Sequence, residues 1–141
     1  MCPHKGRNGT QPGKCYKFHP QEKTWNGARE ACQAWYHEGD LASIDNQATN
    51  DILKTLSNES SEQALAWIGA NSENSEGTWG WSDGTPMNYK NWSEENQGGN
   101  FAYHHAVINF ESGKWYDMEN GYKTNFQVFT SSFICKFKST K

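Results

Sequence analysis

Apolar residues in the first part of the chain recur with a helical period. Between Thr24, a residue type that caps helices, and Gly39, they are spaced by steps of three and four. The members of this apolar face are Trp25, Ala28, Ala31, Cys32 and Trp35. The pattern predicts a helix from about residue 25 to residue 37. A second, shorter pattern predicts a helix over 47–56, with Asn46 as its cap.

The later apolar segments are short, and they alternate or run continuously as β-strands do. They predict strands at 14–18, 65–69, 78–81, 106–110, 114–117 and 131–137. Most strands follow the two helices without alternating with them, so the predicted fold class is α+β. A chain of 141 residues has the length of one domain, and we expect residues 1–141 to form a single domain.

The segment 87–105 shows neither period. Asn, Gly, Glu and Ser dominate it, with Tyr89 and Trp92 as the expected anchors. A long structureless loop within a compact domain usually carries function. This loop is therefore the first candidate for contact with a ligand.

Composition and charge exclude several classes of protein. Mean hydropathy is −0.99, yet 14% of the residues are aromatic, and disordered chains are poor in aromatic residues. The formal net charge of −3 argues against a nucleic-acid-binding protein, because such proteins carry an excess of basic residues. No apolar run approaches the ~18 residues that a membrane span requires.

The residues that could support catalysis are not arranged for it. No serine stands in a nucleophile-elbow pattern, and the neighbouring acids Glu94 and Glu95 are not opposed across a cleft. We therefore expect no enzyme. His104 and His105 would face opposite sides of a strand, so at most one of them could join a site.

The four cysteines, Cys2, Cys15, Cys32 and Cys135, favour an extracellular protein over a cytosolic one with four buried thiols. No pair has the Cys-x-x-Cys spacing of a metal site, and three disulfide connectivities are open. Cys2 and Cys15 flank a glycine-rich stretch and could close a hairpin. The other two could join the first helix to the last strand. Three N-glycosylation acceptor sequences suit the same compartment and begin at Asn8, Asn58 and Asn91.

Several motifs, in the right order, resemble the C-type lectin-like domain family. They are Trp67-Ile68-Gly69, Trp81-Ser82-Asp83-Gly84-Thr85-Pro86, Asn91-Trp92, Trp115-Tyr116-Asp117 and Phe133-Ile134-Cys135. The resemblance runs from Cys2 to Phe137 and implies the family's fold, with two helices, mostly antiparallel strands and a long loop region. It also implies the family's long disulfide, Cys32–Cys135, and the hairpin disulfide of its long-form members, Cys2–Cys15.

The sequence departs from the family pattern where sugar-binding members hold calcium. The two cysteines of a second disulfide would fall at about His105 and Asn120, and neither is present. The family's Glu-Pro-Asn or Gln-Pro-Asp triplet is also missing, because the residues after Trp92 contain no proline. In the Trp-Asn-Asp motif, Tyr116 replaces the asparagine, while Asp117 is retained.

Oxygen ligands of the kind that calcium prefers are nonetheless present. The candidate metal ligands are Glu95, Asn96 and Asp117. The candidate ligand-binding residues are these three together with Asn100, Tyr103 and Tyr116. Either the loop forms a rearranged calcium site, or it is a solvated acidic loop that holds no metal.

The resemblance implies an extracellular lectin module that binds a glycan or glycoprotein through the 87–105 loop and the Trp115–Asp117 strand, with calcium as a candidate cofactor. The alternative is a calcium-independent module that binds a protein ligand on the same face. The missing proline, asparagine and disulfide favour this alternative, whereas the polar, glycine-rich loop favours the glycan. A lipid, mineral or ice surface is a third class of ligand.

Overall fold

The computed structural model describes residues 2–3, 6–56, 64–73, 78–94, 104–118, 123–124, 127–128 and 130–139. The helices are α1 (Trp25–Trp35) and α2 (Gln47–Lys54). The strands are β1 (Arg7–Asn8), β2 (Lys14–Lys23), β3 (Asp40–Leu41), β4 (Leu65–Asn71), β5 (Gly80–Trp81), β6 (His105–Asn109), β7 (Trp115–Met118), β8 (Lys123–Thr124), β9 (Gln127–Val128) and β10 (Ser131–Lys138). The arrangement is the predicted α+β fold.

Both helices begin at the predicted caps and end earlier than predicted. The Thr24 hydroxyl accepts a hydrogen bond from the Gly27 amide at 3.1 Å, and the Asn46 side chain accepts one from the Thr49 amide at 2.8 Å. These bonds satisfy amides that a helix leaves unpaired at its first turn. The helix α1 ends at Trp35, before a close turn in which a Cβ on Gly39 would lie 2.1 Å from the Cys32 carbonyl oxygen. Glycine is therefore required there.

The main sheet has the strand order β1-β2-β10-β4-β6-β7, with β3 paired to β10 and β5 paired to β4. All of these pairs are antiparallel except β10 with β4. The strands β8 and β9 form a separate antiparallel pair, which the sequence pattern did not predict. The strands β1 and β7 therefore lie at opposite ends of the sheet order.

Strand β2 is twice as long as the alternating pattern at 14–18 predicted. Its second half is polar and contains Pro20, and it is held by β10, with Phe133 opposite His19 and Ser131 opposite Lys23. The register of the pair shifts in this stretch. Such an irregularity tolerates a residue that has no amide hydrogen to donate. Pairing, rather than apolar content, thus sets the length of β2.

The buried residues form two clusters, because neighbouring residues of a strand point to opposite faces of the sheet. The first cluster includes Ile68, Ile108, Trp115 and Ile134. The second includes the residues next to three of these, Trp67, Val107 and Phe133, together with Trp25 of α1. Among the tryptophans of the sheet and its connections, Trp67, Trp81 and Trp115 are buried and Trp79 is half-buried.

Two disulfides connect the pairs that the resemblance implies, Cys2–Cys15 and Cys32–Cys135. The first ties the segment before β1 to β2. The second joins α1 to β10 across 103 residues of sequence and lies within the second buried cluster. None of the helices in the described part of the chain is long and apolar enough to cross a membrane.

Candidate functional site

The strand β7 carries the two predicted site residues that the structure describes. It pairs with β6 so that Val107 lies opposite Tyr116 and Ala106 opposite Asp117. The turn between the strands is closed by a hydrogen bond from the Gly113 amide to the Asn109 carbonyl at 2.7 Å. Gly113 has a φ of +78°, which disfavours a side chain at that position. The hairpin therefore fixes where β7 begins.

Trp115 anchors the start of β7 in the core. Its indole nitrogen donates to Asn50 Oδ1 at 2.8 Å, and Asn50 Nδ2 donates to the Gly113 carbonyl at 3.0 Å. Three aromatic rings meet the Trp115 ring edge to face, with centroid distances of 5.2–5.9 Å; they belong to Trp81, Tyr89 and Trp92. The helix α2, which carries Asn50, thus positions the strand on which the site is built.

The beginning of the 87–105 loop lies along β7. The Trp115 amide donates to the Asn91 carbonyl at 3.0 Å, and the Ser93 amide donates to the Trp115 carbonyl at 2.9 Å. Trp92 lies between these two bonds, is 8% exposed and packs its ring against Trp79 at 4.7 Å. It is a buried anchor, as the sequence led us to expect, and not a surface for ligand stacking.

An open depression of about 310 Å³ lies beside β7, where the loop passes it. It is lined by Ser93, Glu94, Lys114 and Tyr116. Glu94 and Lys114 are exposed, Tyr116 is half-buried, and Lys114 Nζ donates to Asn91 Oδ1 at 3.2 Å. The depression therefore combines a carboxylate that accepts hydrogen bonds, an ammonium group that donates them and a phenol that can do both. Such a set can bind a polar ligand.

The structure separates the predicted site residues into two sets. Tyr116 and Asp117 are both half-buried on β7, and as adjacent strand residues they point to opposite faces. Of these two described residues, Tyr116 lines the depression and Asp117 does not. The other candidates lie outside the described residues: Glu95, Asn96, Asn100 and Tyr103.

A metal site is not assembled in the part of the chain that the structure describes. No group of three or more His, Cys, Asp or Glu side chains suited to a metal ion occurs among those residues. Of the candidate calcium ligands, only Asp117 belongs to that part. One carboxylate falls short of the six to eight oxygens that calcium takes.

His105 is the first residue of β6 and is buried, whereas His104 lies just before the strand and is exposed. His105 is 2% exposed, its Nε2 lies 2.6 Å from Glu73 Oε2, and its ring packs against Trp25 at 4.4 Å. His104 Nδ1 lies 2.9 Å from the Ser72 hydroxyl. At the position where the resemblance places a missing cysteine, the chain thus has a buried histidine in contact with a carboxylate.

The turn that follows Trp81 is held by the carboxylate of Asp83, a half-buried residue whose side chain is 9% exposed. Its Oδ2 accepts from the Ser43 hydroxyl at 2.7 Å and lies 2.9 Å from Lys136 Nζ. Burial alone would raise the pKa of Asp83, but hydrogen bonds from Lys136, Thr85 and Ser43 outweigh it and lower the pKa to about 2. Asp83 is therefore charged at neutral pH and joins β5, β10 and the segment after β3.

Sequence reasoning did not identify Ser93 and Lys114 as residues of the site. Lys114 has an ordinary sequence context at the end of a turn, and its position beside Ser93 depends on how the loop pairs with β7. The only available signal was that it directly precedes the Trp115-Tyr116-Asp117 motif. Glu94, which also lines the depression, belonged to the acidic loop segment already noted.

The chain belongs to the Lectin C-type domain family, whose model matches residues 21–137. This result agrees with the α+β architecture, the two disulfides and the loop passing along β7. It confirms the resemblance found in the sequence motifs.

The relatives of this chain include both a lectin and a receptor. The galactose-specific lectin nattectin of Thalassophryne nattereri is 36% identical over 104 residues, which cover 72% of this chain and 64% of nattectin. The low affinity immunoglobulin epsilon Fc receptor of Mus musculus is 37% identical over 119 residues, 83% of this chain and 33% of the receptor. The matches thus span less than two thirds of the length of these curated relatives.

The fold also matches a solved structure along nearly its whole length. The crystal structure of human lithostathine has a TM-score of 0.82 and 27% sequence identity, and the match covers 99% of this chain and 92% of lithostathine. The family and these relatives are not enzymes, in agreement with the prediction from the sequence.

Proposed function

We propose that this chain is an extracellular carbohydrate-binding module that recognises a glycan through the 87–105 loop and the Trp115–Asp117 strand. The observation that carries the proposal is the depression beside β7, whose volume of about 310 Å³ lies within the range of small-ligand sites. The similarity to a galactose-specific lectin supports the same ligand class. The two disulfides support the extracellular location.

The charges that line the depression favour a neutral sugar. Among the described residues of the lining, Glu94 and Lys114 carry opposite charges that balance each other, which favours an uncharged ligand over an anionic or cationic one. The carboxylate can accept hydrogen bonds from sugar hydroxyls, and the ammonium group can donate to them. Tyr116 adds an aromatic ring with a hydroxyl, a combination that suits a ligand with one apolar and one polar side.

We include calcium as a candidate cofactor of the loop, with Glu95, Asn96 and Asp117 as its proposed ligands. The described residues contribute only Asp117 to such a site. The described residues that line the depression are not among the proposed calcium ligands, so we assign the ion no part in their contacts. Glycan binding through Glu94, Lys114 and Tyr116 is expected to persist in EDTA.

The test is a glycan array probed with and without EDTA, followed by titration of the best ligand. We expect binding in both conditions. Lys114→Met and Glu94→Gln should each weaken it about tenfold, equivalent to ~1.4 kcal/mol, because each removes a charged hydrogen-bonding partner. Lys138→Met is the matched control, since this exposed lysine lies on β10 and does not line the depression. Binding that the first two variants leave unchanged would contradict the assignment.

A protein ligand on the same face is the second candidate. The similarity to the Fc receptor over 83% of the chain favours it. An array without signal in either condition, together with a flat calcium titration, would favour this candidate over the glycan.

A further inference from the structure

Two of the three N-glycosylation acceptor sequences lie within the described residues, and their surroundings differ. One begins at Asn8 on β1 and the other at Asn91 beside β7, while Asn58 lies outside the described residues. We propose that Asn8 accepts an N-linked glycan and that Asn91 carries none in the native protein. This inference rests on the proposed extracellular location, because the glycan is transferred in the secretory pathway.

At Asn8, an attached glycan would disrupt few contacts of the folded protein. It is exposed, as is its neighbour Arg7, and β1 is a two-residue strand at the free end of the sheet order. Its Oδ1 lies 3.0 Å from Cys2 Sγ, but a disulfide sulfur has no hydrogen to donate, so this contact is weak. A sugar attached to the Asn8 amide nitrogen would extend from the sheet edge into solvent.

Asn91 is in the opposite situation, because its side chain helps to attach the loop to the β6–β7 hairpin. Its Nδ2 donates to the Gly113 carbonyl at 2.8 Å, and its Oδ1 accepts from Lys114 Nζ at 3.2 Å. The next two residues of the acceptor sequence are also buried, with Trp92 8% and Ser93 3% exposed. A sugar on Nδ2 would replace one of its two hydrogens and add a bulky ring beside the Gly113 carbonyl and the Lys114 side chain, where the loop packs on the hairpin.

The transfer reaction uses the amide nitrogen itself. That nitrogen forms a bond to the anomeric carbon of an oligosaccharide carried on a polyprenyl diphosphate. The bond from this carbon to the diphosphate oxygen breaks, the diphosphate leaves with the electron pair, and one amide proton passes to a base. The transferase acts on the extended chain before folding. A chain modified at Asn91 would then be unable to seat the loop on β7 and would be lost from the folded, secreted population.

A glycan on Asn8 would also protect the sheet. An exposed edge strand offers unpaired backbone groups to other chains, and proteins commonly cover or block such edges. The strand β1 is one end of the sheet order and β7 is the other. The glycan would therefore block edge-to-edge pairing while leaving the proposed binding site uncovered.

The test is expression with a secretion signal in a eukaryotic cell line, in an Asn58→Gln background. Mass spectrometry of glycopeptides and gel shifts with peptide N-glycosidase locate and count the glycans. We expect one glycan on the secreted monomer. Asn8→Gln should remove it. Ser93→Ala should leave it in place, since this change destroys the second acceptor sequence but keeps the Asn91 side chain.

A glycan on Asn91 of the secreted monomer, or an unmodified Asn8, would overturn the proposal. Glycopeptide mapping of the Asn58→Gln protein gives this answer even if a further variant is poorly secreted. The glycan array is repeated on the enzymatically deglycosylated protein. The array thus tests the proposed sugar binding, and glycopeptide mapping tests the proposed modification. Failure of one proposal can therefore be distinguished from failure of the other.

Discussion

The two disulfides should contribute unequally to stability, because they close loops of very different length. Cys32 and Cys135 are 103 residues apart, whereas Cys2 and Cys15 are 13 apart. In the chain-entropy model, the stabilisation grows as 1.5RT times the logarithm of the loop length. It amounts to about 4.7 kcal/mol for a loop of ~100 residues and about 3 kcal/mol for one of ~15. The difference is about 2 kcal/mol.

The comparison is made between two double variants, Cys32→Ala/Cys135→Ala and Cys2→Ala/Cys15→Ala. Alanine is preferable to serine because Cys15, Cys32 and Cys135 are fully buried, where a hydroxyl would need a hydrogen-bond partner. Both cysteines of the long disulfide are fully buried, whereas Cys2 of the short one is half-buried, so the cavity left by the sulfur atoms should destabilise the first variant more. Both effects act in the same direction.

Equilibrium unfolding in urea, followed by tryptophan fluorescence, measures how much free energy of unfolding each double variant has lost. The variant without Cys32–Cys135 should lose more free energy of unfolding, by about 2 kcal/mol or somewhat more. Equal losses, or a larger loss for the variant without Cys2–Cys15, would refute the reasoning from loop length. The urea m-value should be larger for the variant without Cys32–Cys135, because its unfolded chain is freed from the long crosslink and exposes more surface.

Two further predictions concern carboxylates. Glu73→Ala should lower the free energy of unfolding by about 1 kcal/mol and speed amide hydrogen exchange in β6, because it removes a carboxylate that contacts His105. The loss is modest because Glu73 is half-exposed and solvent screens the pair. Glu111→Ala, in the exposed turn after β6, is the control and should change neither the free energy nor the exchange rate. Asp83→Asn should destabilise the protein at pH 7. Because folding lowers the pKa of Asp83 to about 2, its stabilisation is complete above the unfolded pKa near 4 and is lost as pH falls through 2. The stability gap between wild type and Asp83→Asn should therefore narrow between pH 4 and pH 2, and a constant gap would contradict the assignment.

The sequence predicted those elements whose signals are local. The caps Thr24 and Asn46 act within one turn of their own helices, and both are present. The polar half of β2 and the pair of β8 with β9 escaped prediction. These strands are defined by pairing with distant or polar segments, which no periodicity within the strand reveals.

The candidate site was predictable only as far as its motifs reach. The Trp115-Tyr116-Asp117 motif located β7, and the aperiodic loop located the neighbouring segment. That Tyr116 and not Asp117 lines the depression depends on strand orientation. That Ser93 and Lys114 join it depends on backbone hydrogen bonds between the loop and β7, which bring together residues about twenty positions apart. The remaining predicted residues, from Glu95 to Tyr103, stay predictions.

The position of β10 has a consequence for how the protein folds. This strand follows all the others in the main sheet along the chain, yet it lies between β2 and β4. During synthesis, the earlier strands therefore remain divided into two incomplete halves until β10 has left the ribosome. Folding dominated by such distant pairings is slow, on the scale of milliseconds to seconds. Cys32 must likewise wait for Cys135, so the long disulfide can form only late and then locks the sheet after it has been assembled.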